Sequence, residues 1–103
     1  MARVVKVRED IRRFLADVPE EYVFWCNDGQ AFKNLRELNH GLNTMTDETF
    51  AYHVNMEKND FSNWVRDIIG DYELAKELEK VRDRSKAAKI VSQRVATLSK
   101  RIT

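Results

Sequence analysis

Asn59-Asp-Phe-Ser-Asn-Trp-Val-Arg-Asp-Ile-Ile-Gly-Asp-Tyr-Glu-Leu-Ala75 contains a helix start, a helix stop and a second start in close succession. Asn59 or Asp60 is placed to cap a helix, because a short polar side chain accepts from the backbone N–H groups that a first turn leaves without partners. Phe61, Trp64, Val65, Ile68 and Ile69 follow at helical spacing as one apolar stripe. Gly70 is the residue type that ends a helix in the left-handed conformation. Asp71 caps again at once, and Leu74, Leu78 and Val81 continue the pattern.

The same logic extends in both directions. Upstream, Asn34 caps a segment with Leu35, Leu38 and Leu42 on one face, and Thr46 caps a shorter one carrying Phe50 and Val54. Asp47 and Glu48 sit in that helix's first turn, where the dipole favours anions. Nearer the N-terminus, Val4, Val7, Ile11, Phe14 and Val18 alternate at three and four residues. This spacing predicts a helix over residues 9–17 that ends near Pro19. Between these segments, Tyr22-Val-Phe-Trp-Cys26 is a β-branched and aromatic run followed by Asn27-Asp-Gly29, whose Asp-Gly pair predicts a tight hairpin turn with Gln30–Lys33 returning. Downstream, Ser85 restarts a last helix with Ala88, Val91, Val95, Leu98 and Ile102 as its stripe.

The expected fold class is therefore α+β, mainly α, with several short helices around one β-hairpin near residues 21–33 and a long basic C-terminal helix. At 103 residues the chain holds one domain, divided into a compact core over 1–84 and the basic amphipathic helix over 85–103. Only three Gly and one Pro occur, which disfavours a turn-rich sandwich or barrel.

Charge is unevenly distributed. The net is zero over residues 1–45, −6 over 46–79 and +7 over 80–103, where Asp83 is the only acid. The basic residues singled out for an interaction are Arg82, Lys86, Lys89, Arg94, Lys100 and Arg101. A helix of this kind can dock on its own domain, against the acidic 71–79 stretch. It can pair with a second copy through its a/d-like seam, or lay its basic face on phosphates. The sequence pI of about 7.9 is below the value above 9 typical of basic nucleic-acid domains, and no aromatic is interleaved for base stacking.

Chemistry is sparse. The only histidines are His40 and His53, and no Cys-x2-Cys or His-x3-His spacing offers a zinc site. No glycine-rich phosphate loop or calcium loop occurs, so neither cofactor nor metal is expected. Near His53, the candidate partners for a ligand or general base are Asp47, Glu57 and Asp60. A hydrogen-bonded structural role for His53 is the expectation. Cys26 stands alone with no activating base beside it, and so reads as a buried or edge thiol in a reducing, cytoplasmic setting. The segment Met1–Arg8 lacks the apolar core of a signal peptide, and no apolar run reaches membrane-spanning length.

Asn34-Leu-Arg-Glu-Leu38, Tyr52-His53, Asn59-Asp60-Phe61-Ser-Asn-Trp64 and Gly70-Asp71-Tyr-Glu-Leu74-Ala75 occur in this order with this spacing. Together they resemble a family of small archaeal and bacterial domains of unknown function, over roughly residues 20–80. Many members show a second His two residues after the first, where this chain has Asn55. The resemblance implies a prokaryotic, cytoplasmic source and supplies no activity. Its motif residues (His53, Asn59, Asp60, Phe61, Trp64, Gly70 and Asp71) are expected to be structural. The functional expectation is a non-enzymatic protein-interaction module, self-associating through the C-terminal helix, with nucleic-acid binding by that helix as the alternative.

Overall fold

The computed structural model describes residues 10–102, so the valines at positions 4 and 7 lie outside the described residues. A helix over residues 10–15 (α1) leads through a 3-10 turn, Glu20–Tyr22, into a hairpin of β1 (Phe24–Trp25) and β2 (Ala31–Phe32). Then follow α2 (Leu35–Thr44), α3 (Asp47–His53), α4 (Asp60–Trp64) with a π-turn over Val65–Ile69, α5 (Tyr72–Glu79) and α6 (Arg84–Ile102). The chain is a mainly helical α+β domain ending in a long helix. Among the described residues no helix is long and apolar enough to cross a membrane.

The caps form where the side chains predict them. Asn34 accepts from Glu37 N–H, Thr46 from Thr49, Asn59 from Ser62 and Asp71 from Leu74. Each satisfies one orphan donor, for about 1 kcal/mol. Asn59 also donates from Nδ2 to the Leu78 carbonyl at 2.9 Å, so one side chain starts α4 and closes the end of α5. Ser62 Oγ adds a second tie, donating to the Ala75 carbonyl at 2.7 Å.

The hairpin departs from the sequence expectation. Its strands are two residues long, pairing Phe24 with Phe32 and Trp25 with Ala31. Gly29 N–H donates to Cys26 C=O, Cys26 N–H donates to Gln30 C=O, and within this loop only Gly29 has a positive φ, +94°. This is a three-residue loop, a type I turn closed by a glycine bulge, and it spares Asp28 the left-handed conformation a two-residue turn would impose. Such a ribbon is marginal alone. Here Phe24 stacks on Phe61 at 5.0 Å and on Phe32 at 5.9 Å, with Trp64 edge-on at 5.9 Å. Trp64 Nε1 donates to the Tyr22 carbonyl at 2.8 Å, fixing the hairpin against α4.

The stripe read as one continuous α-helix through Ile69 changes pitch after Trp64. Gly70 N–H reaches the Val65 carbonyl, five residues back, at 2.8 Å, and Gly70 takes φ +86°. The wide turn brings Asp71 under α6.

α6 begins at Arg84, one residue before the expected Ser85, with Ala87 N–H bonded to the Asp83 carbonyl. It runs antiparallel to α2, because Arg36 reaches Ser99 while Arg84 reaches the Leu42 carbonyl. Ala87, Ala88, Val91 and Leu98 are buried in the same core as Leu35, Leu38 and Leu42, with Val95 and Ile102 packed at its edge. The seam expected to pair with a second copy is therefore used within the domain. α6 is part of the core and not an appendage to a core ending at residue 84.

Candidate phosphate-binding face

The basic residues of the C-terminal segment divide into two groups. Arg94 turns inward, where its Nε and NH2 meet the two oxygens of Asp71 at 2.8 and 3.0 Å, and its NH1 lies 3.5 Å from Glu73. The Asp71 side chain is 1% exposed and that of Arg94 is 15%. Arg84 likewise bonds Asp47 at 2.8 Å and the Leu42 carbonyl at 2.9 Å. Arg94 thus leaves the set of surface interaction residues: its fork-shaped guanidinium, beside the capping Leu74 N–H, satisfies a buried carboxylate. The acidic 71–79 stretch does meet the basic helix, and Arg94 carries ion pairs between them.

The lysines point the other way. Lys86, Lys89, Gln93 and Lys100 recur along the side of α6 opposite its buried stripe, and all are exposed. At 1.5 Å per residue the line from Lys86 to Lys100 is about 21 Å long. Lys86 and Lys89 have no acidic partner among the described residues. From Arg84 to Ile102 the helix carries no acidic residue at all. Arg82 and Arg101 are exposed at either end of this line.

Beside the stripe, α6 and the end of α2 enclose a groove of about 250 Å³. Asn43, Arg84, Ser85, Lys89, Ser92 and Gln93 wall it, with Ala88 at its base. These are hydrogen-bond donors of the kinds that contact phosphate oxygens, and no carboxylate is among them. Arg36 and His40 continue the exposed side of α2 beyond the groove. Sequence reading missed Asn43, Arg36 and His40, because the alignment of α2 with α6 is a tertiary fact. The i, i+4, i+7 spacing of the three was the available signal.

A second cleft of about 320 Å³ lies between residues 55–58, α4 and the linker before α6. It contains Lys58, Arg66 and Arg82 together with Glu57 and Glu79. Lys58 is already paired with Asp60 and Arg66 with Asp67, so neither sign of charge dominates there.

His53 is 4% exposed and engaged at both nitrogens: Nε2 accepts the Asn27 N–H at 3.0 Å and Nδ1 lies 2.9 Å from Asp60 Oδ2. An acceptor at Nε2 places the proton on Nδ1, which donates to Asp60. The pair has the look of a base and its orienting carboxylate, yet the nitrogen a general base would use is occupied by backbone. Burial pushes the Asp60 carboxyl up, but hydrogen bonds from Lys58 and His53 outweigh it and hold it below the ordinary range. Asp47 and Glu57 do not bond to His53; Asp47 holds Arg84. Among the described residues no three His, Cys, Asp or Glu side chains gather as metal ligands. Phe61 and Trp64 are core, Asn59 and Asp71 are caps, and Gly70 is the turn. Compared with family models, curated proteins and solved structures the chain matches none, so the resemblance over residues 20–80 rests on its quoted motifs alone.

Proposed function

We propose that this protein is a non-enzymatic, cytoplasmic binding module that lays the lysine face of α6, with the groove beside α2, on a nucleic-acid backbone. The groove carries this reading: its polar walls offer ammonium, amide and hydroxyl donors and no carboxylate. Phosphates neutralised by lysines release condensed counterions, which makes such binding strongly salt-dependent. A rigid docked helix presents those lysines without first paying to order itself. With no aromatic along the stripe, the contact reads backbone and not base identity. The net charge of only +1 gives little long-range steering, so the expected affinity is modest.

The test is fluorescence anisotropy of labelled duplex DNA and single-stranded RNA, titrated from low to physiological salt. Wild-type binding is expected to fall steeply with salt. Lys86→Glu with Lys89→Glu should weaken it about tenfold or more at low salt and reduce the logarithmic salt slope by about two. Wild-type protein that binds neither nucleic acid at low salt sinks the proposal.

A protein-interaction role has its own support in exposed aromatic side chains far from α6 in sequence. Trp25 is 71% exposed and Tyr22 51%.

A further inference from the structure

We propose that the outer side of the hairpin, with the 3-10 turn that leads into it, is a docking surface for a Lys/Arg-rich segment of a partner protein. Phe24 and Cys26 point into the core, so the pleat turns Trp25 outward. Its cross-strand neighbour is Ala31, too small to cover an indole. Tyr22, three residues earlier, is also half open to solvent. Tryptophan and tyrosine are the side chains that most often anchor protein interfaces, and an indole face attracts a guanidinium or ammonium.

The charge around this aromatic pair selects the occupant. Between Arg13 and Lys33 the chain has no cation, while Asp17, Glu20, Glu21 and Asp28 supply four carboxylates. Asp17 is engaged by Asn34 and Asp28 by Gln30, whereas Glu20 and Glu21 in the turn have no partner among the described residues. Both glutamates are exposed. Exposed aromatics flanked in the chain by two unpaired carboxylates, Glu20 and Glu21, disfavour phosphate and anionic membranes and favour a cationic peptide. This surface is distinct from the lysine face, and the inference does not depend on nucleic-acid binding.

A fluorescein-labelled peptide of alternating Arg and Gly residues, with a Glu–Gly peptide as control, tests the surface by anisotropy on the full chain. Binding of the cationic peptide is expected to weaken about tenfold in Trp25→Ala, and less in Trp25→Phe, which keeps a ring. Glu20→Gln with Glu21→Gln should weaken it several-fold at low salt, with the difference shrinking as salt rises. The same double exchange at Glu73 and Glu77 on α5 should leave it unchanged. Because Trp25, Glu20 and Glu21 are exposed, circular dichroism should show every variant folded. No binding by wild-type protein overturns the proposal, as does binding indifferent to Trp25 or equally sensitive to the α5 pair. Concentration-dependent dimers abolished by both Trp25→Ala and Lys86→Glu would make a second copy's α6 the occupant and overturn the assignment to a separate partner.

Discussion

Replacing Arg94 by Met removes the only guanidinium among the described residues that reaches Asp71, while keeping the length of the side chain. Asp71 is 1% exposed and would keep its capping bond from Leu74 N–H, but lose both charge-assisted bonds from Arg94. Breaking a buried pair from one side strands the other charge and typically costs 3–5 kcal/mol. A domain of this size has about 5–15 kcal/mol in total, so Arg94→Met should remove a large fraction of it. Asp71→Asn is expected to be milder, at about 1–2 kcal/mol. The amide oxygen can still cap Leu74, and the freed guanidinium is 15% exposed and already 3.5 Å from Glu73. The order of costs follows from this asymmetry: the arginine has a second carboxylate in reach, and the aspartate has no second cation among the described residues. Urea unfolding with an unchanged m-value measures both, and the double variant should recover part of the Arg94→Met loss. An Arg94→Met cost below about 1 kcal/mol, or an Asp71→Asn cost larger than that of Arg94→Met, would refute the argument.

Three further outcomes are expected. A Cβ added at Gly41 would lie far inside contact distance of the Phe32 ring, which is buried and stacked on Phe24. Gly41→Ala should therefore destabilise by about 1–3 kcal/mol despite the roughly 1 kcal/mol gain in helix propensity, and should become stabilising once Phe32 is Ala. The depressed Asp60 carboxyl contributes stability above its unfolded value of about 4 that fades as pH falls through the lower folded value. Asp60→Asn should cost about 1–2 kcal/mol in urea at pH 7, and progressively less as pH falls below about 4; a constant offset across pH would contradict the linkage. Burial pushes the Cys26 thiol up, against backbone hydrogen bonds from Asp28 and Asn27 and with the Asp28 carboxylate, so native protein should react slowly with iodoacetamide and urea-unfolded protein fast. Equal rates would show the thiol to be open.

The elements and their caps were legible because each is set locally. Asn34, Thr46, Asn59 and Asp71 are side chains that bond three residues ahead, and helical stripes repeat within a turn. The hairpin loop was harder, since Asp-Gly serves either a two-residue turn or the end of a three-residue one, and the stacking of Phe24 on Phe61 decides the strand ends. The seam of α6 was visible as a stripe, but periodicity does not say which surface covers it. Its partner, α2, lies about fifty residues away. The candidate site was only half legible for the same reason. Lys86 and Lys89 stand out as charges in any reading, whereas the groove that joins Lys89 to Asn43 exists only once the two helices lie antiparallel.

The division of cations on α6 follows residue chemistry more closely than charge count. A guanidinium offers five donors in a planar fork and tolerates partial burial, while an ammonium is compact and strongly hydrated. Arg84 and Arg94 accordingly take the two positions where a side chain must satisfy fixed oxygens of other elements, whereas Lys86, Lys89 and Lys100 occupy the face toward solvent, joined by Arg101 in the last turn. An exchange experiment separates the two roles. Arg94→Lys keeps the charge but loses the fork, so it should cost about 1–2 kcal/mol in urea and leave the salt slope of nucleic-acid binding intact. Lys89→Arg should leave stability within about 0.5 kcal/mol of wild type, and binding at least as tight, because a phosphate backbone accepts either cation. Loss of binding without loss of stability in Arg94→Lys would place that guanidinium on the ligand, and would show that its bond to Asp71 belongs to the free protein alone.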